Sequence, residues 1–129
     1  MAFSVSAEIV HPTDRTRRKE ISLLVNLGST LCWIPKEVAE SLELPRLGWR
    51  EFRTANGDAI RRETVAALME LQGRLGATVV VLAGPDDVPA VGLVVLESLG
   101  LGFDEANSRL IPKDLLAMGS ILACESFST

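Results

Sequence analysis

The chain has 129 residues with a formal net charge of −4, and 47% of its residues are hydrophobic. This length suits one domain that can bury a core without disulfides or metals, and the acidic balance argues against nucleic acid as a partner, because phosphate binding requires a basic surface. The longest purely apolar run, residues 79–83, is far shorter than the ~18 residues that a membrane-spanning helix needs, so no membrane partner is expected.

The first third of the chain predicts a hairpin, a short strand and a helix. Residues 3–10 alternate between apolar and polar side chains, which is typical of a half-buried strand, and a second strand is predicted at 19–26. The stretch between them is rich in turn-forming and charged residues, and its basic run at 15–20 is interpreted as a solvated hairpin tip rather than a phosphate site. A short strand follows at 30–34.

Pro35 is predicted to open a helix, because proline at the first helical position loses no hydrogen bond. The spacing of Val38, Ala39 and Leu42 places their side chains on one face of that helix, which should pack against the core. Pro45 limits the helix at its other end.

The middle of the chain predicts a hairpin whose second arm is ambiguous. Residues 49–63 are interpreted as two strand arms around Asn56 and Gly57, a pair that favours a two-residue type I′ turn because both residues tolerate positive φ. The apolar residues of 63–72 fit a helical stripe and a strand alternation equally well, so periodicity leaves both alternatives open. A buried strand is predicted at 76–85 from its β-branched residues.

The last part of the chain predicts a loop at 85–89, then a short strand that leads into a short helix. Gly100 and Gly102 are interpreted as helix stop signals. A tight turn and a strand of two or three residues follow at 104–112. The tail at 113–129 fits either a terminal helix or a pairing segment, and the sequence leaves both open.

Cysteine and histidine usage gives little support to nucleophilic or zinc chemistry. Cys32 and Cys124 are far apart without metal-ligand spacing, and His11 is the single histidine. We expect two reduced thiols in a cytoplasmic protein. The N-terminal segment has neither a basic n-region nor an apolar h-region, so no signal peptide is expected. Phosphate-binding glycine motifs are lacking too, and no metal or cofactor is expected.

The order and spacing of four motifs resemble the single-domain, retroviral-type (retropepsin-like) aspartic proteases and their bacterial relatives, over about residues 20–112. In that family an apolar strand ends in Asp-Thr/Ser-Gly-Ala/Ser, a flap hairpin follows, an apolar-apolar-Gly segment leads into a helix, and a short strand closes the domain. The corresponding residues here are Asn26-Leu27-Gly28-Ser29, Thr54-Ala55-Asn56-Gly57, Ala90-Val91-Gly92 before Leu96-Glu97, and Phe103-Asp104 with Leu110-Ile111-Pro112.

The resemblance implies a mainly β fold: a retropepsin-like closed β-barrel of the acid-protease type with one or two short helices, arranged as a two-fold homodimer. It implies a single domain over 1–129, in which 113–129 form a C-terminal tail, and it favours strand over helix at 59–72. It also implies a polypeptide substrate or peptide ligand, and no cofactor.

The catalytic loop implied by the resemblance is Asn26, Leu27, Gly28 and Ser29, and the implied flap is Thr54, Ala55, Asn56, Gly57 and Asp58. In the family, two carboxylates at the dimer axis share one proton: one takes a proton from the attacking water and the other donates to the peptide carbonyl. Here an amide, which cannot take up that proton at neutral pH, replaces the carboxylate. Leu27 replaces the hydroxyl residue that links the two loops.

Two origins are open for Asn26: an engineered change from Asp, or natural loss of catalysis, which the second departure at Leu27 favours. Three functions follow from the resemblance: an aspartic endopeptidase homologue that is inactive as written, a non-catalytic peptide-binding dimer, or a structural dimer without a ligand. Asp58 and Asp104 are interpreted as turn and strand-end carboxylates rather than replacement acids.

Overall fold

The computed structural model describes residues 3–115, and within that range the fold is mainly β. The prediction of a mainly β protein with short helices is confirmed, and the predicted tail lies for the most part outside the described residues. The elements, in chain order, are β1 (Ser4–Val10), β2 (Arg18–Val25), β3 (Cys32–Pro35), α1 (Lys36–Leu42), β4 (Arg46–Arg53), β5 (Ala59–Leu71), β6 (Arg74–Ala83), β7 (Ala90–Val91), α2 (Leu93–Ser98), β8 (Leu101–Asp104) and β9 (Arg109–Pro112).

Six strands close into a barrel. The sheet order is β1-β2-β7-β3-β6-β5-β4, and β1 also pairs with β5, which joins the two ends of the six-stranded part. Ile9 and Met69 face each other where the barrel closes, and both are fully buried. Strand β4 lies outside this ring and pairs with the first half of β5, so β4 and residues 59–65 of β5 form a two-stranded arm. We call residues 46–65 the flap arm.

The ambiguous segment is a strand. Strand β5 runs without interruption from Ala59 to Leu71, and its alternate residues Val65, Ala67, Met69 and Leu71 are buried in the core. Strand β5 pairs with β4, β6 and β1 along its length. These long-range pairings override the helix propensity of its Ala, Leu, Met and Glu residues.

The predicted amphipathic helix is present, with Val38, Ala39 and Leu42 buried. The expectation that Pro35 is its first residue is wrong: Pro35 is the last residue of β3 and the N-cap of α1, with extended backbone angles. The reason is tertiary, since Pro35 lies opposite Ala83 in the parallel pairing of β3 with β6. Because β3 ends at Pro35, the missing N–H of this proline interrupts no later hydrogen bond of the strand.

Two glycine predictions need correction. Asn56 does not adopt positive φ, so the type I′ turn is wrong: Gly57 alone does, at φ 89°. Gly57 N–H donates to Thr54 O (2.9 Å) and Thr54 N–H donates to Asp58 O (2.8 Å), which makes a three-residue loop that needs one left-handed residue. Gly102 lies within β8 and ends no helix, whereas Gly100, at φ 70°, follows α2 as predicted.

Candidate functional site

The segment after β2 is a tight loop held by its own backbone. Asn26 N–H donates to Val91 O (3.1 Å) and Ser29 N–H donates to Asn26 O (3.1 Å). The side-chain Oδ1 of Asn26 accepts the N–H of Gly28 (2.9 Å), which is the hydrogen bond of an Asx turn. Asn26, the first residue of the predicted catalytic loop, is therefore hydrogen-bonded both to β7 and to later residues of the loop.

Gly92 is the base on which this loop rests. A Cβ atom at Gly92 would lie 2.5 Å from the carbonyl oxygens of Ser29 and Leu31 and 2.8 Å from that of Thr30. The next two residues, at the start of α2, donate their N–H groups to the same segment: Leu93 to Ser29 O (2.8 Å) and Val94 to Thr30 O (3.1 Å). A side chain at position 92 would expel the loop from this position, so only glycine fits.

Gly28 is under a milder constraint. It has no positive φ, and a Cβ atom there would lie 3.2 Å from Asn26 Oδ1, the end of a side chain that can move. The close approach of the Gly28 backbone to the Asn26 side chain explains the small residue at this position. Alanine would disturb the Asx hydrogen bond rather than the whole loop.

The chemistry of the Asn26 side chain follows from its hydrogen bond. Because a backbone N–H needs an acceptor, the Asn26 atom that faces Gly28 is the carbonyl oxygen, and the amide NH2 points elsewhere. A carboxylate at this position would accept the same hydrogen bond and keep a second oxygen for chemistry. The NH2 group can only donate, so Asn26, which is exposed, cannot act as a general base.

A cavity of about 450 Å³ opens beside Asn26 and Leu27. Its other lining residues are Leu24, Val25, Val88, Ala90, Phe103 and Glu105. The sequence interpretation missed Glu105, which is the carboxylate of this lining, because its position follows from the β8–β9 turn and not from any motif. None of residues 54–58, the predicted flap tip, lines this cavity.

Exposed apolar side chains surround the same loop. Leu27 is 44% exposed, and Leu93 and Val94, whose backbones bind the loop, are 40% and 45% exposed. Val88, which lines the same cavity, is also exposed. An apolar group of this kind around a polar loop is typical of a surface that contacts another molecule.

The flap arm is attached to the barrel by side chains. On one face of the arm, Phe52 contacts Trp33 of β3 edge to face, with ring centroids 5.1 Å apart. On the same face, the Arg62 guanidinium binds the Asp87 carboxylate through Nε–Oδ2 (2.6 Å) and Nη2–Oδ1 (3.2 Å). The hydrogen bond from Arg62 is the main cause of a lowered pKa of Asp87. A cavity of about 650 Å³ lies between the base of the arm and the loop that carries Asp87.

Other candidate groups have structural roles. Asp104 accepts hydrogen bonds from Asn107 Nδ2 (2.8 Å) and Arg109 Nε (3.3 Å), chiefly the first of which lowers its pKa, so it is an ionised turn carboxylate. Burial raises the pKa of the Cys32 thiol to about 12, which removes it as a nucleophile at neutral pH. Two arginines of the basic run form ion pairs, Arg17 with Glu43 (2.6 Å) and Arg18 with Glu8 and Glu70.

No group of three His, Cys, Asp or Glu side chains among residues 3–115 is arranged to hold a metal ion. Neither of the two helices that the structure describes is long and apolar enough to cross a bilayer.

The described elements therefore define a closed β-barrel in which an Asn-Leu-Gly-Ser loop rests on a glycine that precedes a short helix. No family model matches the chain, and no curated protein matches it. Among solved structures, the chain is similar to the solution structure of the simian foamy virus (mac) protease. The two are 19% identical with a TM-score of 0.46, and the match covers 70% of this chain and 86% of the viral one.

Proposed function

We propose that this chain is a retropepsin-like aspartic endopeptidase homologue that is catalytically inactive as written and binds extended polypeptide as a homodimer. One observation carries the proposal: Asn26 directly follows β2 and its side chain accepts the Gly28 N–H, on a loop that rests on Gly92. This is the geometry that a catalytic carboxylate at the same position would use. The element order, from the first hairpin to the Gly92 helix, is the one the motif resemblance implies.

Inactivity follows from the chemistry of the loop. Peptide hydrolysis by this route needs a group that takes a proton from water and another that gives one to the carbonyl oxygen. Asn26 supplies neither, and a homodimer loses both at once. The loss of general acid–base help costs about 10²–10⁴ in rate, and here the group that activates water is lost as well.

The proposed homodimer is supported by the incompleteness of the site in a single chain. A single chain has one Asn26 loop, and its flap tip does not line the cavity beside that loop. The exposed side chains of Leu27, Leu93 and Val94 lie around the loop, where a two-fold partner would cover them. Leu27 then replaces with an apolar contact the hydrogen bonds that a hydroxyl residue would make.

Peptide binding, rather than a purely structural dimer, is supported by the flap arm. The arm keeps the full hairpin and the contact of Phe52 with the barrel, although the catalytic acid is missing. A groove closed by two such arms holds an extended peptide by strand addition and needs no catalytic acid to do so.

The proposed function is tested by placing a carboxylate at position 26 and a hydroxyl at position 27. We expect no cleavage of a peptide library by the unmodified chain at acidic or neutral pH, and measurable cleavage by the Asn26→Asp, Leu27→Thr double variant. The matched control is Asn26→Ala with Leu27→Thr, which changes the same positions without adding a carboxylate and should stay inactive. A restored variant that dimerises in analytical ultracentrifugation and still cleaves nothing would contradict the endopeptidase origin of the site.

Binding is measured separately, by fluorescence anisotropy of labelled peptides with the unmodified chain. Saturable binding of extended peptides is expected. A dimer that binds none of them would instead be the structural dimer of the third hypothesis.

A further inference from the structure

We propose that the inner face of the flap arm selects acidic peptides, and specifically segments in which an acidic residue lies two positions from an apolar one. This inference rests on the proposed peptide-binding function and adds the chemistry of the ligand. The feature that carries it is a pair of arginines, Arg50 and Arg62, which lie directly opposite each other on the two strands of the arm.

Two like charges directly opposite each other destabilise an antiparallel pair. The side chains of such a pair lie on the same face of the strands, so the positive charges of Arg50 and Arg62 are neighbours. The next pair along the same face is Phe52 with Ile60, which places an aromatic and an aliphatic residue beside the two arginines. The face therefore combines concentrated positive charge with an apolar surface.

This face is the inner one. Phe52 contacts Trp33 of the barrel, and Arg62 binds Asp87 of the loop that follows β6. The opposite face carries Trp49 and Arg61, with the Arg61 guanidinium 5.5 Å from the centre of the Trp49 ring, and these two side chains line the cavity at the base of the arm. A peptide held between the arm and the barrel would contact the face of Arg50.

Only one of the two opposed arginines has an acidic partner. Arg62 is neutralised by Asp87, whereas Arg50 is exposed and makes no ion pair with any residue in the range 3–115. The acidic residues of the arm do not serve it: Glu63 binds Arg46 (2.9 Å), and Glu51 is on the outer face. Arg50 thus remains the uncompensated charge of the pair, which a carboxylate from a ligand would neutralise.

The charge distribution also favours an acidic peptide. Residues 46–63 contain five arginines and three acidic residues, whereas the whole chain has a net charge of −4. An acidic segment is attracted to the arm and repelled by the remaining surface, so the charge distribution directs the segment to the arm. A long polyanion such as nucleic acid would extend from the arm over that negative surface, so we favour a peptide.

The spacing of the ligand follows from strand geometry. Arg50 and Phe52 are two residues apart on one strand and share a face, and a peptide aligned with the arm presents its own residues at the same period of two. A carboxylate that reaches Arg50 therefore leaves an apolar residue two positions away beside Phe52 and Ile60. Arginine suits this role because its planar guanidinium binds a carboxylate through two hydrogen bonds.

The experiment compares labelled peptides of equal length by fluorescence anisotropy with the full chain. The four probes contain Glu-x-Leu, Gln-x-Leu, Lys-x-Leu or Glu-x-x-Leu in an otherwise neutral background. We expect the Glu-x-Leu peptide to bind about tenfold more tightly than the Gln-x-Leu peptide, the scale of a charge-assisted contact. Added salt should reduce this preference, and the Lys-x-Leu peptide should bind most weakly.

Protein variants test whether the face that carries Arg50 is the one that selects the acidic peptide. Arg50→Ala should remove most of the preference for Glu over Gln, and Arg50→Glu should reverse it in favour of the Lys-x-Leu peptide. The matched control, Arg15→Ala, removes an exposed positive charge from the turn between β1 and β2, outside the arm, and should leave the preference intact. Circular dichroism verifies that each variant is folded.

The possible failures are distinguishable. If all four peptides bind equally, the acidic selectivity is wrong and the proposed peptide-binding function stands. If no peptide binds, both are wrong. If a single-stranded oligonucleotide competes as well as the Glu-x-Leu peptide does, the arm binds polyanions without selectivity and the inference is wrong. Equal binding of Glu-x-Leu and Glu-x-x-Leu would overturn the spacing.

Discussion

The loop of residues 26–31 and the flap arm are held in place by different kinds of interaction. The loop is fixed mainly by backbone hydrogen bonds to Val91, Leu93 and Val94 and by the absence of a side chain at Gly92. The arm is fixed to the barrel by side chains, through the contact of Phe52 with Trp33 and the ion pair of Arg62 with Asp87.

Under the proposed function, this difference explains how the loop keeps its geometry without a catalytic acid. Because the loop depends on backbone groups, the side chains at positions 26 and 27 can change while the loop stays in place. The arm has no such freedom, because the contacts that hold it are made by the side chains of Phe52 and Arg62, and a substitution at either position removes one of them. We therefore expect substitutions at positions 26 and 27 to leave the loop in place, and substitutions at Phe52 or Arg62 to loosen the arm.

The largest expected effect is at the base of the loop. Gly92→Ala brings a methyl group within 2.8 Å of three carbonyl oxygens, all of them backbone atoms that cannot move singly. We expect the free energy of unfolding in urea to fall by about 3 kcal/mol or more, or the chain to fail to fold. Gly28→Ala is the matched control and should cost about 1 kcal/mol or less, because the nearest atom belongs to a mobile side chain. Equal losses in the two variants would show that the loop does not rest on Gly92.

Much of the loop could be predicted from the sequence. The motif order places Asn26 at the end of a strand and Gly92 before a helix, and both positions agree with the structure. The reason for Gly92 could not be predicted, because its contacts with Ser29, Thr30 and Leu31 join segments about 60 residues apart in the chain. Glu105 beside the loop was missed for the same reason.

The flap arm was predicted as a hairpin, but its register was not. A two-residue turn at Asn56 and Gly57 would pair Glu51 with Arg62 and Arg50 with Glu63, which are favourable combinations. The three-residue loop shifts the strands by one position and places Arg50 opposite Arg62 instead. A single residue in a turn thus decides whether the arm neutralises its own charges, and composition alone does not reveal it.

The second prediction concerns the ion pair that attaches the arm to the barrel. Asp87→Asn removes one charge from a partly buried pair, and we expect a loss of about 1 kcal/mol, discounted for the exposure of Arg62 to water. Amide hydrogen exchange in residues 59–63 should become faster, while the exchange of core strands changes less. Asp86→Asn is the matched control, since Asp86 is an exposed neighbour without a hydrogen bond to Arg62 among the described contacts.

The pH dependence of this ion pair has a definite sign. The pKa of Asp87 in the folded chain is lowered from its ordinary value of 3.8, mainly by the hydrogen bond from Arg62. The stabilisation is therefore complete above 3.8 and is lost as the pH falls through the lower folded-state pKa. We expect the difference in stability between wild type and Asp87→Asn to be constant near neutral pH and to shrink under acidic conditions. A difference that grows on acidification would contradict the role of the ionised carboxylate.

The smallest expected effect tests the turn that sets the register of the arm. In the three-residue loop only Gly57 has positive φ, so Gly57→Ala should cost about 1 kcal/mol, whereas Asn56→Ala should change stability by less than about 0.5 kcal/mol. In a type I′ turn both central residues need positive φ, and Asn56→Ala would then be costly as well. Urea unfolding of the two variants separates these cases. If Asn56→Ala leaves stability unchanged, the register that places Arg50 opposite Arg62 is supported. Similar losses of stability at both positions would instead indicate the two-residue turn, in which Arg50 pairs with Glu63, and would remove the basis for an acidic ligand.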